Sequence, residues 1–105
     1  MSEKIVLSKI VEVQINNKVY KVGSLSMAKL IEISPKVDKL GKVKEISKQI
    51  ELFVDILYDI LKEYNEGITK EQIKNEITVE AGIKILQMAT GQNLLTNLPF
   101  EGLKE

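Results

Sequence analysis

Between residues 43 and 64 the chain repeats apolar side chains at the spacing of an α-helix. At about 100° per residue, one stripe of this helix carries Ile46, Ile50, Phe53, Leu57, Leu61 and Tyr64. Leu52 and Ile56 widen the apolar arc on one edge, and Val54 widens it on the other. So wide an arc predicts a helix that packs against two elements, or against one element and a partner protein.

Residues 9–22 predict a β-hairpin, because two alternating segments, KIVEVQI and KVYKV, flank an Asn-Asn pair at 16–17. Asparagine tolerates the positive φ that both central residues of a type I′ turn need. A two-residue turn there gives three cross-strand pairs: Val13 opposite Tyr20, Val11 opposite Val22, and Glu12 opposite Lys21. The first two pairs, with Ile15, fall on the face that we expect to pack against the helices. The third pair falls on the solvent face.

A short helix is predicted after the hairpin, over residues 27–33, with Ser26 as its N-cap. Pro35 is expected to stop this helix, because a proline disfavours the α region for the residue before it, Ser34. Residues 36–42 would then form a basic connector that contains Gly41, either without regular structure or with one helical turn.

Two further helices have clear start signals. Thr69 and Gln72 match a capping box for a helix over residues 70–75. Thr78 is the expected N-cap of a helix over residues 79–90, and Gly91 is its C-terminal stop. The chain is therefore predicted to be a single α+β domain (residues 1–105), in which an N-terminal β-hairpin packs on a mostly helical part of about four helices (residues 26–91).

The amino-acid composition excludes most kinds of catalytic chemistry. The sequence contains no Cys and no His, and its 15 basic residues are all lysine, so Arg is absent too. Disulfides, thiolate nucleophiles, imidazole bases and bidentate guanidinium contacts are therefore excluded. Single glycines, scattered along the chain, build no phosphate-binding loop. We expect no enzymatic activity, no cofactor and no metal site, and favour a binding or assembly role.

Composition also bears on where the protein works. With 44% hydrophobic and 29% charged residues, the chain has the composition of a globular protein. It contains no apolar run of about 18 residues, the minimum for a membrane span, and the apolar run at residues 5–7 is too short for a secretory signal. We expect a cytoplasmic protein that does not interact with membranes.

A lysine cluster raises the alternative of nucleic-acid binding. It comprises Lys36, Lys39, Lys42, Lys44 and Lys48, and the two helices joined near residue 78 have the outline of a helix-turn-helix. The second of these helices, however, carries Glu80 and only Lys84, with no base-reading Arg or Asn in its first turns. The pI of about 6.4 is also far from basic. The sequence therefore argues against nucleic acid as the partner.

Protein binding has two candidate surfaces. One is the edge of the long helix at Leu52 and Ile56. The other is the apolar tail, residues 92–105, whose pattern allows either a docked helical turn or a mobile peptide; its apolar residues include Leu94, Leu95, Leu98 and Phe100. The competing interpretation is that these side chains complete the monomer core or a self-association interface.

The order of elements resembles that of the small tail assembly chaperones of long-tailed bacteriophages and prophages. The resemblance rests on a hairpin with an Asn-rich turn, VEVQINNKVYKV, then a capped helix, LSMAKLIEI, then an all-helical remainder, over residues 9–92. It is a pattern of elements and not a signature motif. It implies a non-enzymatic protein in the cytoplasm of a bacterial host, which binds the helical tape-measure protein and helps recruit tail-tube proteins.

Two alternatives from other classes remain open at this point. The protein would be a structural virion component, such as a tail or connector subunit, if it stays in the finished particle. It would be a small DNA-associated regulator if the lysine cluster at 36–48 binds phosphates.

Overall fold

The computed structural model describes residues 10–91, and its elements confirm the predicted α+β class. In chain order they are β1 (Ile10–Ile15), β2 (Lys18–Gly23), α1 (Met27–Lys42), α2 (Ile46–Leu61), α3 (Lys70–Glu76) and α4 (Val79–Thr90). Among residues 10–91, no helix has both the length and the apolar character needed to cross a membrane.

The hairpin has the predicted register, with Val13 opposite Tyr20 and Glu12 opposite Lys21. Its turn differs from the prediction. Only the first central residue, Asn16, has a positive φ (57°), which is the φ pattern of a type II′ turn and not of type I′. Both turn types have the same length and suit the twist of the strands, so the register does not depend on which one forms.

The predicted buried face of the hairpin is correct for β2 and only partly so for β1. Tyr20 and Val22 are buried, and Glu12 and Lys21 are exposed as expected. Val11, however, is still 37% exposed. The reason is that α2 and α4 pack against β2, so β1 lies farther from the helical layer.

Helix α1 does not stop at Pro35, which corrects the sequence prediction. Ser26 caps it as predicted, since its side chain accepts a hydrogen bond from the Lys29 N–H at 3.1 Å. The helix then continues through Pro35 and Gly41 to Lys42, so residues 36–42 are helical and not a connector.

Burial explains why α1 tolerates an internal proline. A proline inside a helix costs about 3 kcal/mol. Continuing the helix buries Leu40 fully and Val37 partly, on the stripe that Ile33 begins. Full burial of a leucine contributes about 1.5–3 kcal/mol, and the partial burial of Val37 adds to it. Because Pro35 has no N–H, the carbonyl of Ile31, four residues earlier, receives no helical hydrogen bond. Both residues lie on the exposed side of α1, where water can hydrate that carbonyl.

Helix α2 is shorter than predicted, because it begins at Ile46 and ends at Leu61 instead of spanning 43–64. Its first turn is supported by Gln49, whose side-chain amide donates to the carbonyl of Val43 at 2.5 Å. Beyond its last turn, the Tyr64 hydroxyl donates to the carbonyl of Ser24 at 2.9 Å and so ties α2 to the end of the hairpin.

Helices α3 and α4 follow the predicted signals closely. The side chain of Thr69 accepts from the N–H of Gln72, and that of Thr78 accepts from the N–H of Ala81, each at 3.1 Å. Gly91 ends α4 in the left-handed conformation, at φ 67°, which a glycine adopts without steric cost. The core lies where these two helices, α1 and the buried side of β2 meet around α2.

Candidate protein-binding surface

The N-terminal half of α2 leaves an apolar stripe uncovered. Ile46 is 59% exposed and Ile50 is 38% exposed, although the sequence placed both on the stripe that packs into the core. A shallow pocket of about 80 Å³ opens beside Ile50. Its apolar lining comes from Phe53, Val54 and Leu57 of α2, Ile73 and Ile77 near the end of α3, and Val79 of α4. We call Ile46, Ile50 and this pocket the α2 apolar face.

The length of α3 explains why this face is open. Helix α2 has 16 residues and α3 has seven, which correspond to about 24 Å and about 10 Å of helix. A helix as short as α3 covers only part of the stripe, and α4 contacts it at Phe53 and Leu57, where Gly82 lies close to both side chains. Leu57 is therefore buried, whereas Ile46 protrudes at the start of α2. The exposed part is therefore a direct continuation of the core stripe.

The structure places the predicted partner-binding residues in different environments. Ile56 is fully buried (0% exposed), so it cannot contribute to an exposed surface. Helix α1 lies on this side of α2, since its Lys36 pairs with Asp59, one turn from Ile56, and α1 is longer than predicted because it does not stop at Pro35. Leu52 is partly buried against the core and lines an open groove of about 290 Å³ with Val43. The predicted tail residues, Leu94, Leu95, Leu98 and Phe100, lie outside the described residues.

The groove at Leu52 is more polar than the α2 apolar face. Charged side chains form most of its lining, from Lys39, Lys48, Glu51 and Asp55. Lys48 also lies 3.7 Å from Glu45. This mixture of charges around one leucine suits hydration better than the docking of an apolar helix.

The lysine cluster is partly engaged within the protein itself. The ammonium group of Lys36 lies 2.6 Å from the carboxylate of Asp59, and Lys48 is paired with Glu45. Lys39 and Lys42 lie in the last turn of α1, where their positive charge interacts favourably with the helix dipole and stabilises the helix. The arrangement therefore has structural reasons that do not require a phosphate-bearing partner.

A second polar cluster joins the hairpin to α3. The carboxylate of Glu76 accepts hydrogen bonds from the Lys18 ammonium at 2.7 Å and from the Tyr20 hydroxyl at 2.8 Å, one on each oxygen. These bonds, that from Lys18 above all, hold the pKa of Glu76 below its usual value. Burial, followed by the bond to Glu76, raises the pKa of Tyr20. Both carboxylate oxygens of Glu76 are thus hydrogen-bonded, and its lowered pKa suits a structural link and not a proton-transferring group.

This cluster predicts a pH dependence of stability. Because the pKa of Glu76 is lower in the folded protein than the ordinary value of 4.5, its contribution is present above that value. It is lost as the pH falls through the folded-state pKa. We expect Glu76→Gln to destabilise the protein at neutral pH, with a deficit that shrinks on acidification. Urea unfolding over this pH range measures it, and a deficit that does not change with pH would contradict the assignment.

Within residues 10–91, no group of three or more Asp or Glu side chains is placed to hold a metal ion. Comparison of the chain with protein-family models, with curated proteins and with solved structures finds no match. The function is therefore inferred from the geometry of the α2 apolar face and the chemistry around it.

Proposed function

We propose that this protein binds the apolar side of a helical partner through the α2 apolar face. The observation that carries the proposal is the continuity of one stripe, which is buried at Leu57 and exposed at Ile50 and Ile46. A helix that docks with its apolar side on this stripe would extend the packing that α3 and α4 already provide. Helix-in-groove binding uses such a surface and gains its affinity from buried apolar area.

The biological role that we propose is that of a tail assembly chaperone, which holds the tape-measure protein during tail morphogenesis in the cytoplasm. Two arguments support it. The order of elements resembles that family, and a tape-measure protein is a long helix with apolar side chains to protect. The absence of Cys, His and Arg from the sequence is compatible with a binding protein whose action needs no reactive group.

A matched pair of variants tests the face. Ile46→Asp with Ile50→Ser places polar groups on the α2 apolar face. Met27→Ser with Ile31→Asp changes two apolar residues of α1 with the same spacing and exposures of 83% and 73%. We expect the α2 variant to lower affinity for the partner by about 10- to 100-fold, because buried aliphatic contacts are lost. The α1 variant should bind like the parent protein.

The partner for this test is a long helical tape-measure protein, the partner that the proposal names. It is expressed alone and together with each variant, and its soluble fraction is measured. If the parent chain does not raise that fraction, or if both variants act alike, the proposal is wrong. A chain that ends at Gln92 tests separately whether the predicted tail residues contribute.

Salt dependence separates the proposal from DNA binding. Apolar docking should change little between low and moderate salt, whereas binding through phosphates weakens steeply. A steep loss of DNA binding with salt that depends on Lys39, Lys42 and Lys44 would instead favour the DNA-associated regulator. Retention of the protein in purified particles would favour a structural virion component.

A further inference from the structure

Within residues 10–91, the two edges of the hairpin have different surroundings. Within residues 10–91 the sheet consists of β1 and β2 alone. The outer edge of β2 is capped at Lys21, because the side-chain amide of Asn65 accepts from the Lys21 N–H and donates to the Lys21 carbonyl, both at 2.8 Å. Asn65 thus takes the position that a neighbouring strand would occupy. In the described part of the chain, no strand lies against the outer edge of β1.

The same contact fixes which backbone groups of β1 point outward. Lys21 lies opposite Glu12, and in an antiparallel pair two opposite residues either bond to each other or both point away. Since Lys21 directs its N–H and carbonyl towards Asn65, Glu12 directs its own groups away from β2. The alternation along the strand gives Ile10 and Gln14 the same outward orientation.

The composition of β1 makes this edge suitable for strand addition. Its sequence is IVEVQI, with four β-branched residues and Glu12 as its single charge. Proteins usually protect an open edge with lysine, proline or a bulge, and β1 contains neither lysine nor proline. The partial exposure of Val11, at 37%, adds apolar surface beside the open backbone groups.

We propose that the outer edge of β1 pairs with β1 of a second copy of this chain, antiparallel and centred on Val13. Only a register that sets outward residues opposite outward residues forms hydrogen bonds. A register centred on Glu12 brings the two Glu12 carboxylates together, which is unfavourable. The register centred on Val13 instead sets Glu12 opposite Gln14 of the second copy, and it uses nearly the whole strand.

Two consequences of this register support a closed dimer. Val11 comes to lie opposite Ile15 of the second copy, on the apolar face of the sheet, so its exposed surface is covered. The resulting four-stranded sheet has β2 at both ends, and in the middle of each β2 edge the outward backbone groups of Lys21 are already bonded to Asn65. The assembly therefore stops at two copies and does not extend into a fibre.

Charge at residue 14 tests the register with the full-length chain. In the dimer, Gln14→Lys sets a lysine opposite Glu12 of the second copy at two symmetric places, and Gln14→Glu sets a carboxylate there. We expect the dimer dissociation constant to fall for Gln14→Lys and to rise for Gln14→Glu, each by about 2- to 30-fold. Sedimentation equilibrium measures both constants. Residue 14 is exposed, so both variants should fold like the parent.

A backbone variant tests the edge itself. Glu12→Pro removes an N–H that points away from β2, so it should abolish dimerisation while the hairpin keeps its own bonds. Val13→Pro, which removes a bond within the hairpin, is the matched control for damage to the strand. If Glu12→Pro fails to fold, the two Gln14 variants still decide the question.

Several outcomes would overturn the proposal. One is a chain that remains monomeric at the highest concentration it tolerates. Another is a dimer that responds equally to both charges at residue 14, since this would place the interface elsewhere, for example on the α2 apolar face. Amide exchange distinguishes a third outcome: protection of the Glu12 and Gln14 amides that does not change with concentration would mean that another segment of the same chain covers the edge.

Discussion

Replacing Phe53 by alanine is expected to lower the free energy of unfolding by about 3–5 kcal/mol. The ring is 2% exposed and belongs to the central cluster of the core. Beside it lies Gly82 of α4, where an added methyl group would come within 2.8 Å of atoms of both Phe53 and Leu57. Because glycine has no side chain to move into the space left by the ring, the cavity stays largely unfilled.

The matched control is Asp55→Ala, two residues along the same helix. Asp55 forms an ion pair with Lys70 at 2.9 Å, but 39% of its side chain is exposed, so its loss should cost only about 0–1 kcal/mol. A domain of this size has about 5–15 kcal/mol of stability, so Phe53→Ala alone would remove much of it. Urea unfolding followed by circular dichroism measures both values. Equal losses would mean that the assigned buried side of α2 is wrong.

Ile56→Ala should cost about 2–5 kcal/mol, whereas Ile46→Ala should cost less than about 0.5 kcal/mol. Both residues belong to the apolar arc of α2, yet Ile56 is fully buried and Ile46 is 59% exposed. Truncation of Ile56 leaves a cavity in the core around α2. Truncation of Ile46 removes atoms that already contact water.

The same pair of variants distinguishes stability from binding. Ile46→Ala should keep the unfolding midpoint of the parent protein and weaken binding of the helical partner. If Ile46→Ala instead destabilises the isolated protein strongly, then its side chain is covered in solution. If the stability of the parent protein rises with protein concentration and that of Ile46→Ala does not, a second copy is the cover.

Local signals were sufficient for much of the fold. The start of three helices could be predicted because each cap, at Ser26, Thr69 and Thr78, bonds an amide only three residues away. The end of α4 at Gly91 depends on one φ angle. The hairpin register follows from a two-residue turn and a period of two, so it too is a property of neighbouring residues.

The candidate surface could not be predicted in the same way. The sequence shows the width of the apolar arc on α2, but the arc alone does not say which part another element covers. Two features of the tertiary structure determine which part of the arc is covered. Helix α1 continues through Pro35 and covers the side of Ile56, while the short α3 leaves Ile46 open.

By itself, the sequence determined the elements whose signals lie within a few residues of one another, namely the hairpin, its register and the capped helix starts. Only the tertiary structure decided what spans longer distances. Asn65 caps Lys21 from 44 residues away and Glu76 binds Tyr20 from 56 residues away. The physical reason is that a cap or a turn is formed by adjacent backbone groups. Burial and an open edge depend instead on every element that packs nearby.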